Sequence, residues 1–579
     1  MRTMQQALLV LLAFFCSTTL LAQTNINTVI NGIDKSMEDN VRLFLGIEQQ
    51  KGHPLLSEAR LRRLHKKAKQ EITSALQPYG YYRPVIDAKL TQLEAENWLA
   101  TYTIDPGPPL PIAAFSFSIS EEMAGDEKFQ KLIGKHSLKE GQTFSHIQYE
   151  EFKSSLAKLA AERGYFNTRF SEHRVEINLD TYQARIWLNY EGGARYRFGE
   201  VKLDQEVLDA ELLQRYIPFE KGTPYSLDQL IDLQHALNDS YYFQTVEVSP
   251  GEPLDDSNEI PITVKLTPRK RHRFSFGLGY GTDTGARAKF DWEMPRLNKS
   301  GHRFDTETSV SQIGYSLIAN YRVPVFNPRT DQLVYSAGIE NEKVEDTEST
   351  IRTIGVSLKH NRNAWRESIS LNYQREDFIV ANDSGVSVLL IPGINWSRTW
   401  GKNFIYAVDG LRFDLDLRGA SEELISDNNF SQLQGSIKFI SSISKNNRFI
   451  TRGTVGSTWT DKFHELPTSV RFFAGGSQSV RGYSYHSLGP ADADGEVVGA
   501  RHLLEGSIEF EHSFSNKWGM AIFYDAGNAI DDLNDDLAKG AGLGFRWRSP
   551  VGPIRLDFAS ALSEDGNPWR IHVTIGPDL

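Results

Sequence analysis

Cysteine is nearly absent: the 579-residue chain has one, Cys16. It lies in MRTMQQALLVLLAFFCSTTLLAQ, where Arg2 gives a positive start, residues 7–15 form an apolar core, and Ala22 supplies a small residue at a cleavage position. The core is too short to span a bilayer, so residues 1–22 read as a secretory signal rather than an anchor. The residues ahead of Cys16, Ala-Phe-Phe, do not form a lipoprotein cleavage box. A chain processed after Ala22 keeps no thiol, which excludes disulfides and thiolate metal sites. An exported chain without disulfides fits the bacterial envelope better than a small secreted scaffold.

Other absences narrow the class further. Lys and Arg number 63 against 74 Asp and Glu, for a net charge of −11, which gives no footing for general nucleic-acid binding. There is no Gly-x-Ser-x-Gly elbow, no phosphate-cradling Gly-x-x-x-x-Gly-Lys-Ser/Thr loop and no His-Glu-x-x-His zinc helix, and the histidines are scattered. A non-enzymatic protein without metal or cofactor is the expectation. No long apolar run follows the signal, so a transmembrane helix is not expected. That says nothing about a transmembrane β-barrel, whose apolar residues occupy only alternate positions.

What is present falls into two halves that change character near Arg269. In the first, three amphipathic helical stretches open on Ser57, Ser145 and Ser226, residues suited to an N-cap. Each runs into an aromatic pair, in PYGYYRP (78–84), ERGYFNT (162–168) and DSYYFQT (239–245), and then into two strands. The recurrence, roughly every 80 residues, reads as three copies of a small α/β unit. A row of docking modules is favoured over an ordinary α/β enzyme with chance similarity.

The second half alternates. IRLDFAS puts Ile554, Leu556 and Phe558 on one face and Arg555, Asp557 and Ala559 on the other; WRIHVTI separates Trp569, Ile571, Val573 and Ile575 from Arg570, His572 and Thr574. Segments of about ten residues suit a tilted membrane crossing, whereas a soluble sandwich usually has shorter strands. About 16 candidate strands lie between Phe274 and Gly576, an even number suited to closure. The fold class is therefore α+β repeats followed by an all-β, 16-stranded antiparallel transmembrane β-barrel. PRKRHRF (268–274) is a basic cluster at the junction, either meeting lipid phosphates at the inner membrane face or a solvated linker.

Tandem α/β units ahead of a barrel, together with SVRGYSYHSLGP (479–490), FYDAGN (523–528) and GPIRLDFA (552–559), resemble the Omp85 superfamily of outer-membrane insertases and transporters. Each motif is weak alone; their order and spacing are specific. The resemblance implies POTRA domains at 23–108, 109–193 and 194–268 in the periplasm, and an outer-membrane barrel at 269–579. Three repeats and the ending IGPDL are similar to the TamA branch, the translocation and assembly module. That branch implies assembly of outer-membrane proteins, notably autotransporters, contact with outer-membrane lipid, and a TamB-like partner anchored in the inner membrane and spanning the periplasm. A role in phospholipid transport is attached to the same pair. A two-partner secretion transporter and a passive porin are the alternatives.

Two sites follow. Val480, Arg481, Gly482 and Tyr483 match the family's loop motif. If that loop folds into the lumen, Arg481 leaves water and needs carboxylate partners. Alternation turns Glu509, Glu511 and Asp525 inward, and the resemblance places Glu509 and Asp525 opposite the arginine. The second site is the seam between first and last strands. Gly277, Gly279 and Gly281 in the first, and Gly576 and Pro577 at the end of the last, either weaken the pairing there or fit the barrel's curvature.

Overall fold

The computed structural model describes residues 25–576, apart from 55, 95, 254–256, 346, 404 and 550–551; the signal segment 1–22 and Pro577 lie outside the described residues. The chain forms two compact units. One comprises Met1–Glu200, Phe219–Leu230 and Pro250–Ile262; the other comprises Val201–Pro218, Ile231–Ser249 and Thr263–Leu579.

The serines sit where helices begin. Ser57 accepts a hydrogen bond from the Arg60 amide at the start of helix Glu58–Leu76, and Ser145 accepts from Gln148 N at the start of His146–Arg163. The third helix, Leu227–Asp239, follows Ser226. One stripe of each long helix is buried: Leu61, Ala68, Ile72 and Ala75 in the first, Tyr149, Phe152, Leu156 and Ala160 in the second. That spacing of three, four and seven residues lays one helix face against a sheet.

Each repeat also has an opening strand that alternation alone did not reveal: Asn25–Asn31, Ile112–Ile119 and Arg197–Asp204. In the first two repeats it pairs in parallel with the repeat's last strand, Asn97–Asp105 or Gln183–Gly192. The last strand is therefore central in each three-stranded sheet. A parallel partner lies most of a repeat further along the chain, so no local signal marks it.

The barrel is a 16-stranded antiparallel sheet from Arg273–Gly281 to Trp569–Ile575, each strand pairing with its neighbours in sequence. Ile354, Ile508, Ile522 and Leu543 are exposed on the outer face, while Glu509, Asp525, Arg546 and Asp557 are buried on the inner one. This is the inversion a membrane demands: hydrocarbon outside, polar groups inside. Residues 460–501 form the longest connection between barrel strands.

The sheet does not close by a ladder. Among the described residues, Arg273–Gly281 pairs only with Gly285–Met294, and Trp569–Ile575 only with Gly552–Ala561. Across the gap, Thr282 N donates to Val573 O at 3.4 Å, Val573 N to Thr282 Oγ1 at 3.3 Å, and Arg287 Nη2 to Ile575 O at 3.4 Å. Beside this gap, Phe274, Phe276, Leu278 and Tyr280 present an apolar outer face, with Leu278 92 % exposed.

The inside–outside assignment is testable at the middle of Thr347–Arg362. Ile354→Arg, on the outer face, should cost about 2–4 kcal/mol in a lipid-bilayer refolding titration, and Thr353→Arg, on the inner face, much less. Equal costs would contradict a lipid-facing Ile354.

Candidate functional site

The inner wall beneath the long loop sets glycine, alanine and serine between large and charged side chains. On neighbouring strands the ladder aligns Ser507, Asp525, Gly540 and Ala561 in one row, and Glu509, Phe523, Gly542 and Ala559 in the next. The alternation that turns their outward neighbours to lipid leaves a shallow trough between the charged side chains. The loop backbone lies in it. A Cβ on Gly540 would stand 2.0 Å from the Arg481 carbonyl oxygen. Gly482, at φ +104°, has Ala561 N and Ser560 C 2.9 Å from where its own Cβ would be. Gly482 therefore satisfies two demands at once, a left-handed backbone and contact with the opposing strand.

Arg481 is 3 % exposed. Its Nε and Nη2 donate to the two oxygens of Asp525 at 2.7 and 2.9 Å, the bidentate fork that suits a planar guanidinium. Nη1 donates to Glu509 at 2.7 Å and to Asp557 at 3.3 Å, Nη2 also reaches Ser507 Oγ at 3.2 Å, and the Arg481 amide donates to Asp525 at 3.0 Å. The guanidinium carbon lies 3.4 Å from the centre of the Phe523 ring. On either side, Val480 and Tyr483 are buried against Ala538 and Ala561. The Tyr483 hydroxyl donates to Lys539 O at 3.1 Å and accepts from Ser563 N.

The structure thus brings Val480, Arg481, Gly482 and Tyr483 together with Glu509 and Asp525. Arg481 and its partners also sit in a wider network that the sequence reading did not assemble. Arg546 donates to Glu509, Glu511 and Asp557 at 2.7, 2.9 and 2.6 Å. Arg448 donates to Glu511 at 2.5 Å, and Arg452 approaches Asp525 at 3.7 Å. Four guanidiniums face four carboxylates, so the cluster is neutral as a whole. Charges held this way are costly to separate: removing one partner of a buried pair typically costs about 3–5 kcal/mol. Alternation had already set Asp557 opposite the apolar face of its strand; what it cannot give is which of many inward charges meet.

A second anchor holds the same loop to the opposite wall. Glu376, fully buried, accepts from Ser349 Oγ at 2.9 Å and from Ser469 N and Oγ at 3.2 and 2.5 Å, and also from Thr468 Oγ1. Phe463, Leu466 and Val470 of the loop pack there on Leu389, Ile391 and Phe430. Strand alternation alone puts Leu389 and Ile391 on the lumenal face, and apolar residues facing a lumen are a signal that something covers them. With anchors on both walls, the loop crosses the lumen.

The first-strand glycines named for the seam border it. Gly277, Gly279 and Gly281 fall on the inner face of the first strand, alternating with the apolar residues of its outer face. Gly576 N still bonds Pro553 O at 3.2 Å. Among the described residues no group of three or more His, Cys, Asp or Glu is placed to hold a metal ion.

Three comparisons bear on this arrangement. Residues 270–578 match the model of the Omp85 superfamily domain, residues 27–106 that of the POTRA domain TamA domain 1, and residues 116–191 and 196–269 that of the surface antigen variable number repeat, a POTRA model. The chain is 21 % identical over 528 residues to an outer membrane protein assembly factor BamA of Nitratidesulfovibrio vulgaris, covering 85 % of this chain and 64 % of that protein. A BamA of Neisseria meningitidis is 20 % identical over 513 residues, covering 76 % of this chain and 62 % of the relative. The chain thus spans just under two thirds of these relatives' length. The crystal structure of BamA from Haemophilus ducreyi lacking POTRA domains 1–3 superposes with a TM-score of 0.68 at 16 % identity, covering 81 % of this chain and 99 % of that one, and shares the fold.

Gly540→Val should unseat the loop by occupying the space of the Arg481 carbonyl. Limited proteolysis of the folded barrel should then cut within 472–490, where the parent chain resists; unchanged resistance would contradict the docking. Acid should act on the same loop through His486. Burial pushes its imidazole down to about 4, against the upward pull of Asp283, and it stacks on Tyr485 at 3.9 Å. A depressed histidine favours the docked form only while neutral, so docking should weaken as pH falls from about 6.5 towards 4. His486→Phe should remove that part of the protease sensitivity.

Proposed function

Because the chain belongs to the Omp85 superfamily, as an outer-membrane β-barrel whose POTRA repeats lie in the periplasm, we propose that it assembles client proteins into that membrane. The observation that carries this reading is the boundary between the first and last strands, which among the described residues no ladder closes. A strand edge with free N–H and C=O groups can template another strand by β-augmentation. Here the edge borders an outer face of Phe274, Phe276, Leu278 and Tyr280, so a strand added there emerges directly into lipid. Neither step needs a nucleotide or a catalytic group, and the protein acts without enzymatic chemistry. The Arg481 network holds the loop to the wall formed by His502–Ser513, Trp518–Ile530, Ala538–Ser549 and Gly552–Ala561, so that this wall keeps its register while the seam yields.

The finer assignment is to the translocation and assembly module. It is supported by three POTRA repeats, the first matching a TamA-type model. On this reading the clients include autotransporters, the partner is a TamB-like protein anchored in the inner membrane, and phospholipid transport to the outer membrane is an associated activity. The repeats offer the docking surface: in each of the first two, the opening strand and the middle strand are sheet edges. A two-partner secretion transporter is the second reading, favoured by the same repeats and barrel but requiring that a client leave through the lumen. A passive porin is disfavoured by the loop that crosses that lumen between Glu376 and Arg481.

Deletion followed by outer-membrane proteomics separates the readings: loss of autotransporters supports assembly, and loss of one secreted adhesin supports secretion. The seam is tested by Gly281→Cys with Thr574→Cys, two inner-face positions that lie level beside the Thr282–Val573 contacts. Oxidation should abolish client insertion and reductant should restore it. Full activity with the seam quantitatively crosslinked would refute gating.

A further inference from the structure

The two sides of the seam are joined less by each other than by the loop. The Ser477 amide and hydroxyl both donate to Asp283 Oδ2, at 2.8 and 2.6 Å. Asp283 lies in the turn that follows the first strand. Five residues further along, Gly482 N donates to Nε2 of His572, on the last strand, at 2.9 Å. Ser479 between them is fixed to the inner wall: its carbonyl accepts from Arg452 Nη2 at 3.0 Å, and its hydroxyl donates to Glu505.

The Gly482 bond also settles the state of His572. A backbone N–H can only donate, so Nε2 carries the lone pair and the ring proton sits on Nδ1. That nitrogen is buried and faces Asp283 Oδ1 at 3.8 Å, directly across the seam. Burial pushes the Asp283 carboxyl up, but His572 and the two Ser477 donors outweigh it and hold it below its ordinary value. An ionised acceptor makes the Ser477 bonds charge-assisted, roughly twice as strong as neutral ones.

From this geometry we infer that residues 477–482 are the clasp of the seam, with Asp283 and His572 as its two catches. This rests on the reading of the seam as the site of client exit, and it adds what controls that site. The ladder that would ordinarily join first and last strands is replaced by bonds from a third segment. Withdrawal of the loop and opening of the seam are then one event, and Arg481 sets its threshold by holding the clasp in place. Asp283 and His572 are positioning residues; neither touches a client while the clasp is closed.

The test measures the seam itself. Spin labels at Leu278→Cys and Ile571→Cys, both on the lipid face, report its width in the full-length protein reconstituted in phospholipid bilayers. Asp283→Ala and His572→Phe should each add a population longer by at least one strand spacing, about 5 Å. His572→Gln, which keeps an acceptor for Gly482 N–H, should recover part of the parent distribution. Asp283→Ala combined with Ser477→Ala should open the seam no further than Asp283→Ala alone. A distribution unchanged in Asp283→Ala overturns the clasp. Should that variant fail to fold, Asp283→Cys with Ser477→Cys decides: its disulfide should narrow the distribution, and an unchanged width overturns the proposal. These distances are read without clients, so a clasp that holds alongside a crosslinked but active seam would sink gating alone.

Discussion

A guanidinium inside a membrane-embedded wall must be neutralised on the spot. Arg481 meets that constraint with Asp525, Glu509 and Asp557, and its partners are in turn shared with Arg546 and Arg452. No member can leave without stranding another, which is why the loop behaves as part of the wall. The glycine and alanine rows under it are the steric counterpart: the loop backbone lies where larger side chains would otherwise stand. Electrostatics sets the affinity of the loop for the wall and the missing Cβ atoms set its distance.

This anchored wall stands beside a seam that, among the described residues, no ladder closes. A barrel normally avoids exposed edges by pairing its first and last strands. Here the edge is left largely unpaired and the loop crosses the lumen, anchored at Glu376 on one side and Arg481 on the other. Charged and steric anchors are concentrated in the strands that carry the ion network, while the strands flanking the gap are, among the described residues, not laddered to each other. That division is what the proposed assembly role needs and a static pore does not.

Much of this was legible in the chain itself. Period-two alternation gave the 16 strands and told lipid-facing Ile508 and Ile522 from lumenal Glu509 and Asp525, because the two solvents impose opposite polarities on adjacent residues. Serine caps and recurring aromatics gave the three repeats. The opening strand of each repeat escaped, since its parallel partner is remote in sequence and leaves no local mark. Glu376, His572 and Asp283 escaped for a related reason. Each is an ordinary inward or turn residue until a loop from elsewhere arrives to bond it, and where a long loop travels is decided by tertiary packing. The seam glycines were visible, but whether they loosen pairing or merely fit curvature is a property of both strands together.

One wall is held by the Arg481 network, while the seam strands, among the described residues, lack such anchors to each other. Hydrogen exchange of the protein in bilayers tests it most directly. Amides of His502–Ser513 and Trp518–Ile530 should be protected far longer than those of Arg273–Gly281 and Trp569–Ile575, and Arg481→Ala should erase the difference by lowering the first pair. Equal protection of the seam strands and the network strands in the parent chain would contradict the account.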